Sequence, residues 1–155
     1  MNDPRHTTRD TRHILRRWWP ALTVMVLIFV FSSVPGDEIP KYAGLLDFIV
    51  KKSGHLLEYG LLAVTVWRAT PRGVGASEGD SRKSNALARS LALTLGYAVS
   101  DEFHQLFTQG RRSNPVDVGI DLVGACLGLA LYFAVGAIRQ TRSRTPRPRP
   151  TRPPA

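Results

Sequence analysis

Residues 101–121 read Asp-Glu-Phe-His-Gln-Leu-Phe-Thr-Gln-Gly-Arg-Arg-Ser-Asn-Pro-Val-Asp-Val-Gly-Ile-Asp, a dense polar run set between two apolar stretches. Both stretches have the character of lipid-soluble helices. Ionisable groups at membrane depth are costly and are kept where they serve a function. A second polar run, Lys51-Lys52-Ser53-Gly54-His55-Leu56-Leu57-Glu58-Tyr59, stands at the mouth of another apolar stretch. Whether these two runs meet decides the fold.

Working outward, the chain of 155 residues contains four apolar blocks. The first, Trp18 to Val34, is uncharged and approaches the about 20 residues that a bilayer span requires. Trp18 and Trp19 suit an interface, with Arg16 and Arg17 on its cytoplasmic side, and Pro20 is expected in the first helical turn. A secretory signal is the rival reading of this block, with Ser32 and Ser33 as the only small residues near a cleavage site. Pro35, Gly36 and Pro40 end it. The second block runs from about Leu45 to Trp67, the third from about Ala86 to Phe107, and the fourth from Pro115, well placed as a first helical residue, to about Ile138. The expected fold is all-α: a polytopic bundle of four transmembrane helices. Residues 1–17 form a basic N-terminal segment, residues 18–138 the membrane domain, and residues 139–155 an Arg/Pro-rich tail too polar to build a core and expected to be disordered.

The charge pattern orients the bundle. The formal charge of +9 would suggest nucleic acid in a soluble protein, but here the cations flank apolar blocks, and the tail lacks interleaved aromatics, so no nucleic-acid partner is expected. Of the 21 Lys and Arg residues, sixteen fall in three places: the N-terminal segment (Arg5, Arg9, Arg12, Arg16, Arg17), the loop after block two (Arg68, Arg72, Arg82, Lys83, Arg89) and the tail (Arg139, Arg142, Arg144, Arg147, Arg149, Arg152). The other two connections hold Lys41, Lys51, Lys52, Arg111 and Arg112. The positive-inside rule reads this as a multi-pass protein with both termini cytoplasmic. The basic tail then faces anionic inner-leaflet lipids. Cys126, the single cysteine, excludes an internal disulfide and is expected as a small packing residue.

This topology brings the polar runs to one depth on the outer side. Lys51, Lys52, His55 and Glu58 lie in the outer half of block two. Asp101, Glu102, His104 and Gln105 close block three, Arg111 and Arg112 sit in the short connection, and Asp117 and Asp121 open block four. Spacing by four puts Asp47, Lys51, His55 and Tyr59 on one face, and Tyr97, Asp101 and Gln105 on another. Asp117, Asp121, Gly124 and Gly128 form a stripe whose Gly-x-x-x-Gly half admits a close neighbour.

These residues resemble the VanZ-like family of bacterial membrane proteins. Phe29-Val-Phe-Ser-Ser-Val-Pro-Gly36 resembles the family's Phe-x-x-Ser-Ser-x-Pro-Gly exit from the first helix. Lys51-Lys52-Ser-Gly-His55-Leu-Leu-Glu58-Tyr59 resembles its Lys-x-x-His-x-x-Glu-Tyr motif. Asp101-Glu102-Phe-His104-Gln105 with Gly110-Arg111-Arg112-Ser113, and Asp117-Val-Gly-Ile-Asp121-Leu-Val-Gly124-Ala125, resemble its remaining two motifs. The four occur in order. Gln109 stands where Pro is commoner, and Leu56 where Phe is frequent. The resemblance implies a small multi-helix inner-membrane protein, and the founding member is associated with low-level resistance to the glycopeptide teicoplanin. It supplies no catalytic residues.

Four chemistries fit the pattern. An outward-facing pocket could bind a lipid-linked or anionic envelope component, with Lys51, Lys52, Arg111 and Arg112 holding the anion and His55 or His104 serving as base or acid. His55-x-x-Glu58 and Asp101-x-x-His104 could instead ligate a metal, although no complete metal signature is present. Proton relay is disfavoured because the inner halves of the blocks offer few polar groups. Finally, the charges could only hold the bundle together. No Gly-x-Ser-x-Gly elbow or phosphate-binding Gly-rich loop points to a particular reaction or cofactor, so both stay open.

Overall fold

The structure is a computed structural model that describes residues 4–38, 45–70, 79–111 and 113–143, with side chains described from residue 13 onward except at 47, 48 and 79–82. Among the described residues there are four helices and no strand: α1 (Pro4–Ser32), α2 (Leu45–Ala69), α3 (Gly79–Gln105) and α4 (Pro115–Ser143). They follow the four apolar blocks but run past them. α1 continues back through the Arg-rich segment, because Arg, like Ala, has a high helix propensity and nothing there breaks the turn. Pro20 therefore stands inside α1, not in its first turn, and deprives the Arg16 carbonyl of its usual i+4 donor. α4 likewise runs through Ser143, five residues into the segment expected to be irregular, and ends before the first tail proline, Pro146. Residues 144–155 lie outside the described part.

Cross-contacts give the directions. Arg17 donates to the Thr70 carbonyl (3.3 Å), so the first part of α1 meets the end of α2. Tyr97 donates to the Met25 carbonyl (2.5 Å) and Ser32 reaches Asp101, so α1 and α3 run parallel. His55 meets Asp121 while Gly60 meets Gly124 and Gly128, so α2 and α4 are parallel. The result is an up-down-up-down arrangement. α2 packs against each of the other three helices, most extensively against α4, and α1 is built into the bundle through Ala21, Val24 and Ile28.

The α2–α4 contact is close because it is made by glycines. A Cβ on Gly128 would stand 2.5 Å from the Gly60 carbonyl oxygen, and one on Gly124 would stand 2.6 Å from that of Leu56. The Gly124/Gly128 pair thus does what its spacing suggests, with Gly60 as its unanticipated partner.

The bundle is apolar outside and partly polar inside. Leu57 and Leu61 on α2, Leu93 and Val99 on α3, Val26 and Val30 on α1, and Leu127 and Leu131 on α4 are all exposed, whereas Ser90, Thr94, Asp101 and Asp121 are buried. A water-soluble protein rarely leaves so much contiguous apolar surface uncovered. Among the described residues two helices are long and apolar enough to cross a membrane, residues His13–Ser32 of α1 and Pro115–Ser143 of α4. α2 and α3 fall short because they carry the polar runs. Cys126, expected as a packing residue, is exposed on the outer face of α4, next to the exposed Leu127.

Candidate functional site

The helix directions bring the end of α1, the start of α2, the end of α3 and the start of α4 to one end of the bundle, and the polar runs meet there. The end is tied by two loops. Gly36 N–H donates to the Gln109 carbonyl (2.9 Å), and a Cβ on Gly36 would lie 2.1 Å from the Gly110 oxygen, so residue 36 must be Gly. Gly110 adopts φ +72°, a conformation that glycine reaches without strain. This close approach directs the next residue, Arg111, onto α1: its Nε donates to the Val34 carbonyl (3.1 Å) and its guanidinium to the Phe31 carbonyl (2.7 Å). Arg111 thereby ties the chain at the end of α1, the Phe31 carbonyl also accepting from the Val34 N–H (3.3 Å).

Asp101 is the centre of the α1–α3 side. It is 3% exposed, and its Oδ2 accepts from Ser32 Oγ (2.8 Å) and from Gln105 Nε2 (2.9 Å). The second bond is the one that the spacing of four anticipated. Ser33 Oγ donates to the Phe29 carbonyl (2.7 Å) and lies 3.1 Å from His104 Nε2. With the hydroxyl proton spent on Phe29, its oxygen accepts from His104, which assigns that ring's proton to Nε2. Glu102, on a different face of α3 from Asp101, accepts from the Asn114 N–H (2.9 Å) and so ties α3 to the start of α4. Asn114 in turn caps α4, its side-chain oxygen accepting from the Val116 N–H (3.1 Å) with Pro115 in the first helical position.

On the α2–α4 side, His55 Nδ1 lies 3.1 Å from Asp121 Oδ1, and Asp121 is 1% exposed. With Asp121 ionised and the imidazole neutral, Nδ1 carries the proton and Nε2 keeps its lone pair, the geometry of a histidine oriented by a carboxylate. Lys52 forms an ion pair with Asp117 one turn earlier on both helices. Tyr59 is fully buried, its ring parallel to that of His55 at 6.5 Å and tilted against that of Tyr97 at 6.5 Å. Glu58 is half-buried and lies in the electrostatic field of His55, Asp101, Asp121 and Arg111, which puts it at the same end.

The expected pocket residues His55, Glu58, Asp101, His104, Gln105, Asp117 and Asp121 therefore share one end of the bundle. The expected anion-holding group fares differently. Lys52 is engaged by Asp117 and Arg111 by α1, Lys51 is half-buried, and Arg112 lies outside the described residues. Among the described residues no three His, Cys, Asp or Glu side chains are arranged to hold an ion. His55 is turned to Asp121 on another helix, and His104 to Ser33. Sequence reasoning missed Ser32, Ser33, Gly36 and Asn114 as site-building residues. The run Ser32-Ser33-Val34-Pro35-Gly36 is the available signal, but as a helix exit or a cleavage region it names no partner on α3.

Four buried polar atoms at this end have no hydrogen-bond partner among the described residues: Asp101 Oδ1, Glu102 Oε1, Asp121 Oδ2 and the Tyr59 hydroxyl. An unmet buried group costs about 1–3 kcal/mol, so three unpartnered carboxyl oxygens at one end of the bundle call for a functional account.

No curated protein and no solved structure shows significant similarity to the chain. A sequence profile described as VanZ/LLP1 matches residues 9–136, a range that holds all four helix cores and every residue of the polar end. On that match the chain belongs to the VanZ/LLP1 family.

Proposed function

We propose that this protein crosses the membrane four times with both termini in the cytoplasm, and that its polar end faces outward and binds a component of the cell envelope. The observation that carries the reading is the set of buried, unpartnered oxygens on Asp101, Glu102 and Asp121, the last of which orients His55. These groups accept hydrogen bonds, and the nearby cations Lys52 and Arg111 already serve Asp117 and the α1 carbonyls. The moiety that fits is a donor: a sugar hydroxyl, an amide or an ammonium group of an envelope precursor, with His55 as the base available to take a proton from it. The α2 and α3 spans are supported by the outward-facing Leu57, Leu61, Leu93 and Val99, and the orientation by the distribution of Lys and Arg.

Mass spectrometry of what co-purifies with the full chain tests this. The wild type is expected to carry an envelope component that Asp101→Asn and Asp121→Asn variants lose while remaining membrane-inserted. Teicoplanin susceptibility of cells carrying the same variants is the phenotype to score. Reporter fusions within residues 109–114 and after Ser143 test the topology, with the first expected outside and the second inside.

A structural reading has its own support, because Lys52–Asp117, His55–Asp121 and Ser32–Asp101 each pair two helices. It predicts that the two Asn variants disappear from the membrane together and that nothing accompanies the wild type.

A further inference from the structure

From the polar end, where Ser53 lines its mouth, a groove of about 1140 Å³ runs between α2 and α4 toward Arg139. Leu57 and Leu61 form one wall and Leu127 and Leu131 the other, all of them exposed. Its origin is the glycine contact. Where Gly60 meets Gly124 and Gly128 the two backbones nearly touch, and the flanking leucines stand up as ridges around the seam. Further along α4 the groove passes Gly136, whose Cβ position has nothing within 4 Å, and it ends at Arg139 and Gln140. An apolar channel closed by a cation describes a lipid: hydrocarbon along the leucines, an anion at the end.

We infer that this groove binds an anionic phospholipid, one acyl chain lying along the Leu127–Leu131 wall and the phosphate against Arg139. The length fits. From Leu127 to Arg139 a helix rises about 18 Å, close to the about 15 Å of hydrocarbon in one leaflet. The charge fits as well, because basic residues at the membrane end of a helix select anionic headgroups. A second copy of this chain is a poorer occupant, since packing an apolar helix into the groove would cover the Arg139 guanidinium with nothing to neutralise it. The stretch that holds the lipid, from Leu127 to Arg139, lies beyond the polar end, and the inference stands whether or not that end binds an envelope component.

The test uses the full chain in detergent, exchanged against an equal mixture of phosphatidylglycerol and phosphatidylcholine vesicles and examined by native mass spectrometry. The wild type is expected to retain phosphatidylglycerol over phosphatidylcholine by roughly fivefold, the factor that one basic residue near the membrane surface supplies. Arg139→Gln, an exposed change that leaves the groove walls intact, should bring the ratio to about one. Gly136→Leu should fill the groove and expel both lipids, with its helical signal and melting temperature as a check on folding. Equal retention of the two lipids by the wild type overturns the inference, as does a preference that Arg139→Gln leaves unchanged. A wild-type dimer that Gly136→Leu dissociates gives the groove to a second copy instead.

Discussion

The closest glycine contact between two helices offers the sharpest test. Gly128 packs on the backbone of Gly60, and a methyl group at residue 128 would sit 2.5 Å from the Gly60 oxygen and 2.6 Å from its Cα. Backbone cannot step aside as a side-chain tip can, so Gly128→Ala requires α2 and α4 to part by about 1 Å to restore ordinary contact. Overpacking of this kind costs about 1–3 kcal/mol. It also acts at a distance: a parting of about 1 Å carries the 3.1 Å His55–Asp121 contact beyond hydrogen-bonding range, about two helical turns from the substitution. Gly136→Ala is the control on the same helix. It meets open space and exchanges glycine for the best helix former, so it should be neutral or stabilising by up to about 1 kcal/mol. Unfolding of the purified protein in mixed micelles by increasing SDS, followed by far-ultraviolet circular dichroism, reads both variants against the wild type. If Gly128→Ala were as stable as Gly136→Ala, the close approach of α2 and α4 would be wrong, and with it the register that pairs His55 with Asp121.

Other parts of the site predict their own outcomes in the same unfolding assay. Ser32→Ala removes one of the two donors to the buried Asp101 oxygen and should cost about 1–2 kcal/mol, whereas Ser53→Ala, exposed at the groove mouth, should cost little. Gly36→Ala collides with the Gly110 carbonyl and should cost about 1–3 kcal/mol; it should also raise protease sensitivity at residues 109–114, since the loop clasp and the Arg111 tie would be lost together. Lys52→Asp sets two carboxylates face to face, and Asp117→Lys two ammonium groups. Each alone should destabilise, and the double exchange should recover about 1–3 kcal/mol of coupling, a range set by side chains 22% and 17% exposed; a double variant no better than the sum of the singles rules out the ion pair.

Much of the polar end was readable from spacing. A helix repeats every 3.6 residues, so groups four apart share a face whatever the rest of the chain does, and Asp101 with Gln105 turned out bonded as that rule requires. The same rule set Gly124 and Gly128 in line. It was less decisive at adjacent residues. Lys51 and Lys52 differ by about 100° of rotation, and only the seating of α2 on α4 chose Lys52 to meet Asp117. Arg111 illustrates the other limit. Its charge suggested a ligand for an anion, yet its place beside Gly110, folded against Gly36, makes it a tie to the end of α1, and nothing within ten residues of it announces that partner.

By itself, then, the order of apolar and polar residues determined four helices, their boundaries to within a turn or a few turns, and the end at which the ionisable groups would lie, because hydropathy and helical period act over a few neighbouring residues. The tertiary structure alone decided which hydrogen bonds those groups make, Ser32 to Asp101, Ser33 with His104 and His55 with Asp121, and that Gly60 packs against Gly128. The partners in these contacts are 66 to 71 residues apart in the three hydrogen bonds. Their meeting depends on how each helix is rotated and shifted against its neighbours, a choice made by close packing across the whole bundle and carried by no local stretch of chain.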